Sequence, residues 1–406
     1  MNEFMKTYRL KITTLTPVHI GASSDLEPTE YVIYSENNVA SPQKNEDADN
    51  VICPECGYRN SPKEDICGDC GCPLPKRTVL IKKEAEPVKG KSFLYTFTPA
   101  QLSQALSSAD KAQLLKVAKN GTTAELKNFF KGKASAISKF ATKRAIVSPS
   151  IEKKYQEEKT ENRLFIEKQI SDSVTGLPYI PGSSLKGAIR TALMSKRNKQ
   201  NPLDKTLSKK GSDAERILYN YKDPTTDPFK ALKLQDCRAS VSFFTRINTT
   251  ENVKKDKDKA TGQGVYTYME CIPPETSFEG TISLIKHTGH PSFDETIETI
   301  REACNDFYYK ALDKNEANLK NTHKIASSLF EKARKLIEKP NSFLISLGKH
   351  GGAESKTIEG LRQIKIMQGK WKPNRTQASS TTYWFANDET ERLPFGWCVV
   401  EYEEVK

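Results

Sequence analysis

Four cysteines in the stretch CPECGYRNSPKEDICGDCGC have the spacing of a metal site. Cys53 and Cys56, ten intervening residues, then Cys67 and Cys70 make two knuckles able to close a tetrahedral thiolate cage. Gly57 and Gly71 follow the two pairs, where a tight turn around a metal needs a residue without a side chain. This ribbon-like spacing suits a structural Zn2+ better than an iron–sulfur cluster, and Cys72 is a spare with less favourable spacing. The surrounding insertion is polar, so a bound metal would supply its folding energy. The other cysteines, Cys237, Cys271, Cys304 and Cys398, lie in predicted strands or a helix and read as core packing.

A second constellation lies in PYIPGSSLKGAIR, residues 178–190. Ser183 or Ser184 is placed to cap a helix, and Leu185, Ala188, Ile189, Ala192 and Leu193 recur at the spacing of a buried stripe. Ser183, Lys186, Gly187 and Arg190 fall on another face. Helix N–H groups, hydroxyls, a bare glycine backbone and two cations together describe a phosphate seat. SLGKHGGAESK offers a third set: Gly348, Gly351 and Gly352 beside Lys349 and His350, either a close backbone approach to a polyanion or a flexible turn. His19 follows the first predicted strand, as a nucleic-acid contact or a hydrogen-bonded strand-end histidine. The pair in HTGH (287–290) has no nearby carboxylates and is rejected as a metal site. Tyr266, Tyr268, Phe243 and Phe244 could stack bases, although alternating strand aromatics usually face a core.

The elements that must position these groups are mixed. The 406 residues exceed one ordinary core, so two domains with insertions are expected. TYRLKITTLTPVHIG, TEYVIYS, NRLFIEKQI, LQDCRASVSFFTRI, NSFLISL and LPFGWCVVEYEEV read as strands. SFLYTFTPAQLSQAL is a strand leading into a helix, with Thr98 as cap and Pro99 in the first turn, and helical, lysine-rich sequence continues to about residue 146. KRNKQNPLDKTLSKKGSDAE reads as a loop and residues 292–339 as helical. Strands interleaved with helices, twice over, predict an α+β chain of two ferredoxin-like domains. The first, residues 1–170, carries a zinc-ribbon insertion (50–75) and a helical one (99–146). The second, residues 171–406, carries a thumb-like loop (244–268) and a helical segment (292–339). A net charge of +12 and a pI near 9.0 favour a polyanion partner, and mean hydropathy is −0.63. No apolar run reaches the roughly 18 residues of a membrane helix. The start MNEFMKTYRLKITTL lacks a secretory signal and the nine cysteines do not form a secreted framework, so the cytoplasm is the expected compartment.

TPVHIG (16–21), YIPGSSLKGAIRTAL (179–193), ECIPPETSFEG (270–280), LGKHGG (347–352) and PFGW (394–397) occur in the order seen in RAMP-superfamily CRISPR proteins. With EPTEYVIY and LYTFTPAQL, the chain most resembles the type III-A (Csm) subunit that caps the effector at the 3′ end of CRISPR RNA, the related type III-B complex sharing the same motifs. The resemblance implies RNA-recognition-like folds, CRISPR RNA binding, assembly with related RAMP filament subunits, and a non-cutting role in guide maturation that leaves room for a host nuclease. It makes the 244–268 segment a thumb against the guide–target duplex, with Arg246 at its base. It also implies RNA contacts at His19, Ser183, Ser184, Lys186, Gly187, Arg190, Gly348, Lys349 and His350. The filament subunit of the family cuts target RNA with an acidic residue after the first strand; here that region reads IGASSDLEPTEY, with Asp25 and Glu30 but no clear counterpart. An RNA-processing endoribonuclease and a zinc-ribbon adaptor that recruits proteins stand as alternatives.

Overall fold

The computed structural model describes residues 4–35, 51–52, 59–60, 66–72, 91–141, 143–157, 164–204, 211–255, 266–286, 293–320, 327–366, 375–387 and 392–405. Among them the strands, numbered in chain order, gather into two large sheets. The seven-stranded sheet runs β15 (Ser342–Ser346), β20 (Trp397–Glu404), β1 (Met5–Thr14), β14 (Ser277–Ile285), β11 (Cys237–Ala239), β9 (Tyr179–Ile180), with β10 (Leu232–Leu234) also on β14. All its pairs are antiparallel. Helix α6 (Gly182–Gln200) lies in the chain between β1 and β11, and α8 (Ile297–Lys320) between β14 and β20. β20, β1, β14 and β11 therefore stand as fourth, first, third and second strands of a βαββαβ unit, the ferredoxin-like order.

The alternation in β1 explains its place. Tyr8, Leu10 and Ile12 are buried while Arg9 and Lys11 are exposed, a half-buried strand with one face on the helices. The buried stripe predicted for α6 is buried in full, against α8 residues such as Ile300, Cys304 and Tyr308. The Tyr308 hydroxyl donates to the Ala188 carbonyl at 3.0 Å, leaving no orphan in that contact. Cys237, Cys271, Cys304 and Cys398 are buried, and burial raises each thiol.

The nine-stranded sheet runs β2 (Gly21–Leu26), β8 (Ile166–Gln169), β13 (Tyr266–Cys271), β12 (Thr245–Lys254), β7 (Lys143–Val147), β6 (Ser92–Thr96), β3 (Tyr31–Ser35), with β18 (Thr382–Asn387) on β12 and β19 (Arg392–Pro394) on β18. Here β7–β12 and β8–β13 are parallel, so this sheet does not repeat the antiparallel order of the first. Two hairpins stand apart: β4 (Val51–Ile52) with β5 (Arg59–Asn60), and β16 (Ile364–Ile366) with β17 (Arg375–Gln377).

Helices α1 (Pro99–Ala105), α2 (Ser108–Asn120), α3 (Thr123–Gly132) and α4 (Ala134–Ser138) follow β6, α5 (Pro149–Glu157) follows β7, and α7 (Gly211–Leu218) and α9 (Ser327–Ile337) complete the set among the described residues. Capping boxes at Thr98, Ser107 and Thr122 start α1, α2 and α3, satisfying helix N–H groups from within the local sequence. The helical reading to residue 146 runs too far: KRAIV is β7, paired with β6 and β12. The stretch read as a loop from residue 196 is partly helix, because α6 continues to Gln200 and α7 begins at Gly211.

The boundary at 170/171 does not divide the sheets. β1 pairs with β14 and β20, while β12 and β13 lie among β7 and β8, so each sheet draws strands from both sides of it. Among the described residues the chain passes between the two large sheets six times, and three of these crossings, after β1, after β13 and after β19, meet. Val18 and Ile272 form a β-bridge, the Gly396 N–H donates to the Pro17 carbonyl at 2.9 Å, and the Trp397 N–H donates to the Thr16 hydroxyl at 2.9 Å.

Beside this crossing Glu270 of β13 is 1% exposed. Its carboxylate accepts from Lys143 Nζ (3.0 Å), the Gln169 N–H (3.2 Å) and Thr245 Oγ1 (2.8 Å), one group each from β7, β8 and β12. Its backbone carbonyl accepts from His19 Nδ1 at 2.7 Å, and Gln169 Oε1 accepts the Ile20 N–H at 2.9 Å. Glu270→Ala would strand a partly buried ammonium and orphan donors from three strands. It is expected to lower stability by about 3 kcal/mol, read from the shift of a urea unfolding midpoint.

Candidate nucleic-acid interface

At the start of α6, Pro181 occupies the cap position without a side-chain bond. The Gly182 N–H donates to Asp236 Oδ1 at 2.8 Å, and the Ser184 and Leu185 N–H groups reach the Pro181 carbonyl. Neither Ser183 nor Ser184 caps the helix, contrary to the sequence expectation. Both lie inside the first turn, Ser183 exposed and Ser184 half-buried. A Cβ at Gly182 would stand 2.5 Å from the Leu234 carbonyl oxygen, so this glycine is the one that packing requires. Asp236, arriving from the loop before β11, does the capping that sequence alone assigned to a serine.

The two cations of the motif are turned inward. Lys186 Nζ donates to the Leu232 carbonyl at 2.8 Å, and burial, with Arg190 behind it, lowers its pKa. Arg190 lies between Glu215 (3.4 Å) and Asp227 and over the Phe229 ring at 4.3 Å. In the fold it makes internal ion pairs and a cation–π contact, which a phosphate would have to share or displace. Gly187 differs. It is exposed, and a Cβ there would meet nothing within 4 Å.

The glycine loop after β15 also serves the fold. Gly348 has φ +72° and its Cβ position lies 2.2 Å from the His19 carbonyl oxygen; a Cβ on Gly351 would lie 2.4 Å from Ser346 Oγ. Gly352, at φ +90°, has more room. The Lys349 N–H donates to the His19 carbonyl at 2.8 Å, and Lys349 Nζ, half-exposed, reaches Glu167 at 2.6 Å. His350 sits at φ +64° and stacks on Trp384, centroids 4.1 Å apart. His19 is wholly buried, with Nδ1 on the Glu270 carbonyl and Nε2 3.7 Å from Glu167. The ring is thus closed off from the surface and spent on a structural bond, where the sequence expectation was an RNA contact. Sequence reasoning missed Glu270, Gln169 and Glu167; the glutamate inside the apolar strand YTYMEC was the available signal for the first.

Arg246 is half-buried in β12, in register with Cys271 and Ile146. β12 and β13 form the arms of the expected hairpin, and its tip, 256–265, lies outside the described residues. Phe244 and Tyr268 are buried in the core, while Tyr266 is 51% exposed. Asp25 is exposed on β2 opposite Glu167, and Glu30 closes a turn onto the Glu27 N–H at 2.8 Å.

Cys53 and Cys56 lie outside the described residues, bracketed by β4 and β5. Cys67 is buried and Cys70 exposed in a turn where the Cys67 N–H donates to the Cys72 carbonyl (2.8 Å) and the Gly71 N–H to the Cys67 carbonyl (3.0 Å), Gly71 taking φ +72°. Among the described residues, no helix is long and apolar enough to cross a membrane.

A sequence model of the RAMP superfamily matches residues 11–332. The chain belongs to the RAMP superfamily. Among curated RAMP relatives, Csm5 of Methanocaldococcus jannaschii is 31% identical over 197 residues, covering 44% of this chain and 46% of that protein. The endoribonuclease Csm3 of Streptococcus thermophilus is 29% identical over 161 residues, 38% of this chain and 60% of that one. The chain thus spans about half the length of the curated relatives it matches. The fold is shared with a chain in the cryo-EM structure of a type III-A Csm–crRNA–target RNA complex, at TM-score 0.57 and 17% identity, over 97% of this chain and 100% of that one. It is shared also with crystalline Csm5 of T.onnurineus, at TM-score 0.53 and 16% identity, over 96% and 99%.

Burial, followed by the charges of Lys349 and His19, pulls the His350 pKa down to about 3. Folding therefore keeps this ring neutral where the unfolded chain protonates it near pH 6.5. Its contribution is full above about pH 6.5 and is lost progressively as pH falls towards 3. In His350→Asn, whose side chain tolerates positive φ, the decline of the unfolding midpoint with acid is expected to be shallower.

Proposed function

We propose that this RAMP chain is a Csm5-like subunit of a type III-A CRISPR effector, capping the guide at the 3′ end of CRISPR RNA without cutting it. It would thereby contribute to guide maturation and antiviral defence. Its partners on this reading are the CRISPR RNA, related RAMP subunits of the filament, and a host nuclease that trims the exposed end. The similarity to two Csm5 proteins supports this.

The observation that carries the reading is Gly187. A glycine inside a 19-residue helix costs about 1 kcal/mol relative to alanine, and no neighbouring atom forbids a methyl group there. A ribose–phosphate strand approaching the helix backbone beside the Ser183 hydroxyl gives that glycine a reason, and such contact ignores base identity, as a guide of variable sequence demands. Gly187→Ala is expected to raise the melting temperature while weakening guide-RNA binding in a filter assay. A stabilised variant with undiminished affinity would overturn the site.

The Csm3 relative, named as an endoribonuclease, gives the enzyme alternative its footing. On the proposed reading, labelled repeat RNA incubated with the purified chain stays intact. Cutting that disappears in Glu30→Ala would replace the capping role with a nuclease.

The insertion at 50–75 is assigned a structural Zn2+ held by Cys53, Cys56, Cys67 and Cys70. The turn at Cys67–Cys72, closed by main-chain bonds with Gly71 at positive φ, supports this, as does the β4–β5 pair bracketing the first two thiols. Elemental analysis is expected to return about one zinc per chain, lost in Cys67→Ser.

A further inference from the structure

Helix α2 has 13 residues and none of them is buried. Its ends are set locally, by the Ser107–Asp110 capping box and by Gly121, whose N–H donates to the Val117 carbonyl. A helix this short is marginal in isolation, so these caps and a modest inner contact through Leu114 hold it. The outer half carries Lys111, Ala112, Leu115, Lys116, Ala118 and Lys119, all exposed.

Charge is concentrated here. Residues 99–141 contain seven lysines against Asp110 and Glu125. Asp110 is held by Lys133 at 2.7 Å and Glu125 by the α3 cap, so neither answers the outer lysines. Elsewhere several helix cations are matched, as in Lys196–Glu302, Lys199–Asp306 and the Arg334 pairs with Asp313 and Glu316. Lys111, Lys116 and Lys119 make no ion pair among the described residues. The motif helix α6, by contrast, has its Arg190 engaged internally.

We propose that the outer face of α2 is a second RNA-binding surface, taking the sugar–phosphate backbone of a single strand whatever its bases. The proposal goes beyond the α6 contact but rests on the RNA-binding reading above for the identity of its polyanion. Lysine and alanine are depleted in protein–protein interfaces, and one leucine among them makes no apolar interface core, whereas lysines at this density suit phosphates. From Lys111 to Lys119 the helix rises about 12 Å, so the cations are spread along a line rather than gathered at a point.

The test uses the full chain and a labelled uridine oligomer, with binding followed by fluorescence anisotropy across a series of salt concentrations. K111A/K116A/K119A is expected to keep its melting temperature, since the lysines are exposed and alanine favours helix. Its plot of log affinity against log salt should be shallower by about 2, from roughly 0.7 per lost phosphate contact. L115A should bind as the unaltered chain does. An unchanged slope in the triple variant overturns the proposal. Binding of an acidic peptide that L115A abolishes, with that slope unchanged, would assign the face to a protein instead. Because Gly187→Ala tests α6 separately, failure at α2 with weakened binding in Gly187→Ala leaves the capping reading standing. The reverse result removes that reading and leaves α2.

Discussion

A carboxylate removed from water must be fully bonded or it destabilises the fold that buries it, and Glu270 meets that condition with donors from three strands. The ammonium of Lys143, the amide of Gln169 and the hydroxyl of Thr245 converge only if β7, β8 and β12 hold their places around β13. The parallel pairs of the nine-stranded sheet lie in the same region, where register is set by long connections rather than tight turns. Through its carbonyl the same residue holds His19, and His19 in turn offers its own carbonyl to the glycine loop. One buried residue thus couples the nine-stranded sheet, the crossing to the seven-stranded sheet and the loop after β15.

Four of the segments that carry the family resemblance meet at this crossing: TPVHIG, ECIPPE, LGKHGG and PFGW. Two of their glycines, Gly348 and Gly396, are needed because chains pass within contact distance of one another there. Gly348 lies against the His19 carbonyl, and a Cβ on Gly396 would stand 2.4 Å from the Leu347 carbonyl oxygen. The physical demand is backbone crowding, which glycine alone relieves. A glycine that faces open space has no such explanation, and this contrast sets Gly187 apart from Gly182, five residues before it in the same helix.

The α6 motif shows how a charged sequence pattern can have two owners. Lys186 and Arg190 share a face with Ser183 and Gly187 by helical spacing, and spacing gives no information about which partners arrive from elsewhere. The carboxylates that claim Arg190, Glu215 and Asp227, lie 25 and 37 residues further along the chain. An arginine held by two carboxylates over an aromatic ring is worth more to the fold than a mobile surface cation. What the helix leaves to a polyanion is main chain, the exposed hydroxyl of Ser183 and the open surface at Gly187. Three unneutralised lysines line α2 instead, whose sequence carries few acids to answer them.

Local features were legible in the sequence because their causes are local. The apolar stripe of α6, the Thr98 cap with Pro99, the alternation of β1 and the buried cysteines follow from periodicity and side-chain chemistry within a few residues. The cap of α6, the burial of His19, the engagement of Arg190 and the membership of each sheet did not, because each depends on groups brought from distant segments. Asp236 displaces the serines as cap only once β10 and β11 lie against the helix start. β1 joins β14 and β20, more than 260 residues away, for hydrophobic burial that no local window contains. The sequence by itself determined which residues could form elements and which were rich in charge or glycine. The tertiary structure alone decided which charges are neutralised, which glycines are crowded, and which of them still face outward.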